Sequence, residues 1–163
     1  MRKKAAKNTT DADLLAVMKL TTNLSLRRVL LLTLASNRGA VRQKQLPGVA
    51  KQEIGIDLKL NRESSTAVVH AKLSLTFFYD DKQSEGEGPA VLIEAVYELG
   101  YGFNKPIIET DEQEYAGAIQ IVGITDVWPF WRELVHSLTP RMGLPAFPVP
   151  LLNPSKLPKI QIK

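Results

Sequence analysis

Residues Ala67–Tyr79 read AVVHAKLSLTFFY. Val69, Ala71, Leu73, Leu75, Phe77 and Tyr79 recur at every second position, with His70, Lys72, Ser74 and Thr76 between them. Side chains alternate faces along a strand, so this pattern predicts a strand with one apolar and one polar face. The stretch before it does the same: in Glu53–Asn61, Ile54, Ile56, Leu58 and Leu60 share one face, and Gly55, Asp57 and Lys59 the other. The stretch after it, Ala90–Gly100, sets Val91, Ile93, Ala95, Tyr97 and Leu99 against Glu94 and Glu98. The turn Arg62-Glu63-Ser64-Ser65 and the charged, glycine-containing loop Asp80–Gly88 join neighbours over short distances, which predicts antiparallel pairing. Arg27–Ser36, RRVLLLTLAS, is a further strand, closed by Asn37-Arg38-Gly39. Val41–Lys51 carries Pro47-Gly48 and reads as a loop. The strand order expected is a meander, and Gly100 and Gly102 are expected to break the last strand.

Helical signals lie mainly downstream. Thr110, or Asp111, can cap a short helix over Asp111–Ile121, with acids favoured at its positive end and Gly123 as its stop. A long helix then runs from Thr125 or Asp126 to Met142, with Trp128, Trp131 or Arg132, Val135 and Leu138 at three-to-four spacing. Pro129 fits its first turn, and Gly143 fits a left-handed stop. Pro145, Pro148, Pro150 and Pro154 hold the segment after it extended. Near the start, Asp11 or Asp13 can cap a short helix over Leu14–Leu20.

The fold class expected is α+β: a four-stranded antiparallel sheet followed by a short and a long C-terminal helix. The domain organisation is a basic disordered arm over 1–10, a single domain over 11–154 and a short basic tail over 155–163. One thin sheet has more apolar C-terminal sequence than it can cover, which predicts an oligomer.

The net charge of +4 belongs to the ends. Arg2, Lys3, Lys4 and Lys7 lie in the first ten residues, and Lys156, Lys159 and Lys163 in the last ten, with no acid in either stretch. Without these seven, 14 bases face 17 acids. A mildly acidic body argues against a nucleic-acid-binding face. So do the aromatics: Phe77, Tyr79 and Tyr97 fall on the apolar face, where no base can stack, and Phe78 alone faces the other way. The absence of cysteine excludes disulfides and thiolate chemistry and fits a reducing compartment, and no apolar run is long enough to cross a membrane as a helix. The expected location is the cytoplasm.

Catalysis finds no support in the pattern. His70 sits on a polar strand face and His136 within a helix, and no HExxH, GxSxG, GxxxxGK[ST] or GxGxxG is present. No catalytic group, cofactor or metal is assigned, and the chain is not expected to be an enzyme.

Ile124–Pro154, ITDVWPFWRELVHSLTPRMGLPAFPVPLLNP, resembles the corresponding region of the SecB family of export chaperones. Trp128-Pro129-Phe130-Trp131-Arg132-Glu133 matches that family's (L/I)-F-P-Y-A-R-E signature, with Phe130-Trp131 in place of Tyr-Ala. Arg141-Met142-Gly143-Leu144-Pro145 and Pro150-Leu151-Leu152-Asn153 follow in the family's order, and Tyr97–Phe103 is similar to the bend ending its fourth strand. The resemblance spans about residues 25–154. The family's acidic C-terminal helix, a contact for the ATPase SecA, has no counterpart in SKLPKIQIK, Ser155–Lys163.

What the resemblance implies is an ATP-independent holdase for unfolded polypeptide clients, assembled as a homotetramer, a dimer of dimers. Its service is protein export or the guarding of an aggregation-prone antitoxin in a toxin–antitoxin system. It does not imply SecA docking. Phe78, Tyr101, Phe103, Ile107, Trp128, Phe147 and Leu151 are the candidate groove residues, each with core or subunit interface as its plainer role. A different class remains open: a carrier whose sheet and long helix enclose a small apolar ligand.

Overall fold

The computed structural model describes residues 18–20, 22–39, 48–79, 88–106 and 112–152. The basic arm, the basic tail, the Asp80–Gly88 loop up to residue 87, the proposed cap at Thr110 or Asp111, and Ile107 lie outside these residues. Of the proposed Leu14–Leu20 helix, Met18–Leu20 are described and are helical.

Four antiparallel strands form one sheet: β1 (Leu24–Arg38), β2 (Val49–Asn61), β3 (Thr66–Phe78) and β4 (Val91–Phe103). The period-two reading of β3 and β4 holds, although Ser74 on the polar face of β3 is also buried. Val69, Ala71, Leu73, Leu75 and Phe77 of β3 are buried, as are Val91, Ile93, Ala95, Tyr97 and Leu99 of β4. Ser65, at φ 47, takes the left-handed conformation that closes the β2–β3 turn, and the Asn61 side chain accepts a hydrogen bond from the Ser64 amide at 3.0 Å.

The order across the sheet is β1-β4-β3-β2, not the expected meander. Only β2, β3 and β4 are successive neighbours, and β1 returns beside β4, which is a Greek-key order. Local pattern specifies hairpins through their short turns but leaves β1 free. The link from Gly39 to Gly48 has only to pass two strands, about 14 Å at ordinary strand spacing, and ten residues reach roughly twice that. Register then favours β4. Arg28 of β1 lies opposite Gly100 and forms an ion pair with Glu98.

Gly100 and Gly102 do not break β4, which runs on to Phe103. A Cβ at Gly100 would stand 2.9 Å from Arg28 Cγ, and one at Gly102 would overlap the Arg27 guanidinium. The glycines are where arginine side chains lie flat on the strand.

The two predicted C-terminal helices are one, Glu112–Arg141. Gly123 does not stop it. Instead a Cβ there would stand 3.0 Å from Val69 Cγ1, so the missing side chain lets the helix press on β3. Pro129 falls mid-helix rather than in a first turn, where it removes one backbone bond at a cost of about 3 kcal/mol. Burial of Ile119, Ile124, Val127, Trp128, Trp131 and Val135 against the sheet offsets that cost. The expected stop at Gly143 is present: its φ is 75°, and the Leu144 amide reaches back to the Thr139 carbonyl at 3.0 Å. Among the described residues no helix is long and apolar enough to cross a membrane.

Candidate functional site

The helix packs on β2, β3 and β4 and leaves β1 at the margin. In consequence the leucines of β1 stay open. Leu26, Leu30, Leu31, Leu32 and Leu34 are each 43–48% exposed, although both inner strands are sealed. A trough of about 340 Å³ runs between β1 and the helix, lined by Val29, Leu31, Tyr97, Phe130, Glu133, Leu134 and Ser137. Phe130 stands 45% exposed at its lip. Burial, and then the Glu133 charge, push the Tyr97 phenol up to about 12.

A second apolar hollow lies on the opposite flank. After Gly143 the chain turns back as an extended strap, within which Val149 is buried. Three hydrogen bonds fix its course. The Thr139 hydroxyl accepts the Phe147 amide at 3.0 Å and itself donates to the Val135 carbonyl. Arg132 Nε donates to the Val149 carbonyl at 2.9 Å. Trp128 Nε1 donates to the Pro150 carbonyl at 3.0 Å. The two helix donors are four residues apart, hence on one face, and the acceptors are successive strap carbonyls. Between the strap and the start of β2 opens a cleft of about 270 Å³, lined by Gly48, Ala50, Phe77, Leu144, Pro145, Ala146, Phe147 and Pro148. The Phe77 and Phe147 rings meet edge to face at 5.0 Å and 88° along its wall.

The candidate groove residues divide among three places. Trp128, Phe147 and Leu151 belong to the strap: Trp128 is buried and tethers it, Phe147 lines the cleft, and Leu151 is 77% exposed beyond it. Tyr101 and Phe103 are buried on the inner face of β4, away from the cleft. The Tyr101 hydroxyl donates to Asp126 Oδ2 at 2.9 Å, and Phe103 packs near Tyr115 with ring centres 6.3 Å apart. Burial and the adjacent Asp126 charge push the Tyr101 phenol far up, and burial also raises Asp126 despite that hydrogen bond. Phe78 follows Phe77 in the strand and so takes the other face of the sheet. The β1 leucines, Phe77 as a cleft wall and Phe130 escaped the sequence reading, because alternation alone assigns a face and not its cover. The signal that could have found the β1 surface is its leucine run, apolar on both faces, which no buried-and-wet strand requires.

The outer face of the sheet is polar and partly paired. Arg28 and His70 both reach Glu98, Lys51 pairs with Glu53, and Lys72 with Glu94. The His70 hydrogen bond, with the Arg28 charge, holds the Glu98 carboxyl below the usual range against the opposing effect of burial. No three metal-ligating side chains gather among the described residues.

A four-stranded sheet of this order, backed by one long helix and a proline-rich strap, is the SecB-like fold. The chain matches a solved SecB-like chaperone of Mycobacterium tuberculosis, in complex with a ChAD peptide from the HigA1 antitoxin. The TM-score is 0.66 at 18% identity, over 88% of this chain and 100% of that one. No family model and no curated protein matches the sequence.

Proposed function

We propose that this chain is an ATP-independent holdase that keeps non-native polypeptide from aggregating, with an antitoxin as its client. The observation that carries this reading is the open apolar cleft walled by Phe77 and Phe147, on a fold whose solved relative is a chaperone with an antitoxin peptide bound. An apolar hollow with a polar surround suits an extended chain without demanding one sequence. Holding the unfolded state lowers its free concentration by mass action, so no energy source is needed.

The working unit in this reading is a cytoplasmic homotetramer, a dimer of dimers. Strand β1 supports it: an edge strand with five half-exposed leucines beside an open trough invites a second copy. SecA docking has no such support, since Glu53, Glu94 and Glu98 of the outer face are each paired with a base. The apolar-ligand carrier is less favoured, because the space between sheet and helix is filled by Trp131, Leu73, Ile93, Ile119, Ile124 and Val127.

Light scattering of a reduced, unfolding model protein tests the proposal. Suppression at near-stoichiometric chaperone without nucleotide is expected, together with a tetramer in native mass spectrometry. A chain that leaves aggregation unchanged is not a holdase. A bound small apolar molecule released in the spectrometer would favour the carrier.

A further inference from the structure

Strand β1 carries two bulges, at Arg27 and at Leu32, where its register against β4 shifts. The first has a chemical consequence. An extra residue in a strand brings two successive side chains toward one face. Arg27 and Arg28 therefore both cross the outer face of β4, over Gly102 and Gly100. These glycines face outward yet are buried, because the arginines roof them.

The two guanidiniums differ in occupation. Arg28 is held by Glu98, which His70 also engages. Arg27 is exposed, lies flat over Gly102 and has no ion-pair partner among the described residues. Gly102 is opposite Thr66 of β3, whose hydroxyl is 2.7 Å from that of Ser64. Gly100 is opposite Val68, which is paired with Lys59 of β2. This corner of the sheet thus has a free planar cation, a second cation along the strand row and two exposed or half-exposed hydroxyls around small residues.

We propose that this corner docks an acidic segment of a partner protein, with a carboxylate taken in a forked contact by Arg27. A guanidinium laid flat presents its donors in the plane a carboxylate matches, and with no acid beside it among the described residues those donors are available to a partner. Nucleic acid fits less well: no aromatic side chain stands in these rows for a base to stack on, and the cations are too few for a run of phosphates. The corner is on the face of the sheet opposite the helix and strap, so a partner here leaves the Phe77–Phe147 cleft accessible. The proposal is independent of the holdase reading.

Fluorescence anisotropy with a labelled peptide alternating glutamate and threonine tests it on the full chain. Binding weakened by added salt is expected, and Arg27→Glu should weaken it about tenfold or more. The denaturant midpoint and the suppression of aggregation should not change, and amide shifts on titration should fall on Ser64–Ala67 and Gly100–Phe103. Equal binding by Arg27→Glu would overturn the proposal and assign the affinity to the basic ends of the chain. Tighter binding of a single-stranded oligonucleotide than of the peptide would also overturn it. Arg27→Lys separates charge from geometry: it keeps the charge and should recover only part of the affinity.

Discussion

The indole N–H of Trp128 donates to the carbonyl of Pro150, 3.0 Å away. This bond ties the strap to the helix one turn before Arg132 does the same at Val149. The position of the cleft therefore depends on two side chains that do not line it.

Trp128→Phe keeps one aromatic ring, removes the donor and leaves a small part of the indole site empty. A loss of about 1 kcal/mol is expected for the bond, with a smaller addition for the lost ring atoms, and Trp128→Ala should lose about 3–5 kcal/mol because it empties the whole buried site. Urea unfolding measures both. Trp128→Phe should also loosen residues 145–150, seen as faster amide exchange at Phe147 and Val149.

Gly123→Ala sets two effects against each other. Alanine favours a helix interior over glycine by about 1 kcal/mol, but its Cβ would stand 3.0 Å from Val69 Cγ1. Overpacking typically costs 1–3 kcal/mol, so a net loss of roughly 1 kcal/mol is expected. Combining Gly123→Ala with Val69→Ala should cost less than the two single changes together, which a double-mutant cycle measures.

Alkaline pH should unfold the protein through its inner-face tyrosines. The folded state holds the Tyr97 proton to about 12, whereas the unfolded chain releases a tyrosine proton near pH 10. Stability is thus complete below about pH 10 and falls as pH rises toward 12, with Tyr101 adding in the same direction. Glu98 acts at the other end: its lowered pKa means stability present at neutral pH and lost as pH falls through the acid range. Denaturant midpoints across pH measure both limbs. Tyr97→Phe should flatten the alkaline one, and Glu98→Gln the acid one.

Leu30→Lys and Leu32→Lys, on half-exposed side chains of the edge strand, should leave the fold intact, each within about 0.5 kcal/mol. If β1 is a subunit interface, these changes shift the assembly toward smaller species in native mass spectrometry. An unchanged assembly would place the interface elsewhere.

The sequence reading was most secure where burial is one-sided. Val69 through Phe77 and Val91 through Leu99 alternate because a helix seals one face of β3 and β4, and such a pattern needs no knowledge of partners. The Gly143 stop was readable for a similar reason, since its left-handed turn is a local requirement. The position of β1 was not readable, because a strand's neighbour is chosen by long-range register, here Arg28 against Glu98. Gly123 misled because glycine has two uses in a helix, an end or a close approach, and only Val69 decides between them. Of the groove candidates, Phe147 lines the cleft, Trp128 tethers the strap from the helix, and Leu151 lies exposed beyond it. Tyr101 and Phe103 continue the inward row of Val91 through Leu99, a placement hidden only by reading Gly100 and Gly102 as the end of the strand.

The strap raises a separate matter. Between residues 145 and 150, Pro145, Pro148 and Pro150 have no amide hydrogen, the Phe147 amide is taken by Thr139, and the Val149 amide by the Phe147 carbonyl. The segment offers side chains and carbonyls but almost no donors. A stretched polypeptide can press against it without adding to it as a new strand, so no cross-β stack can be seeded there. In the holdase reading, the lip that meets a non-native chain is thereby kept from serving as the first layer of a fibril.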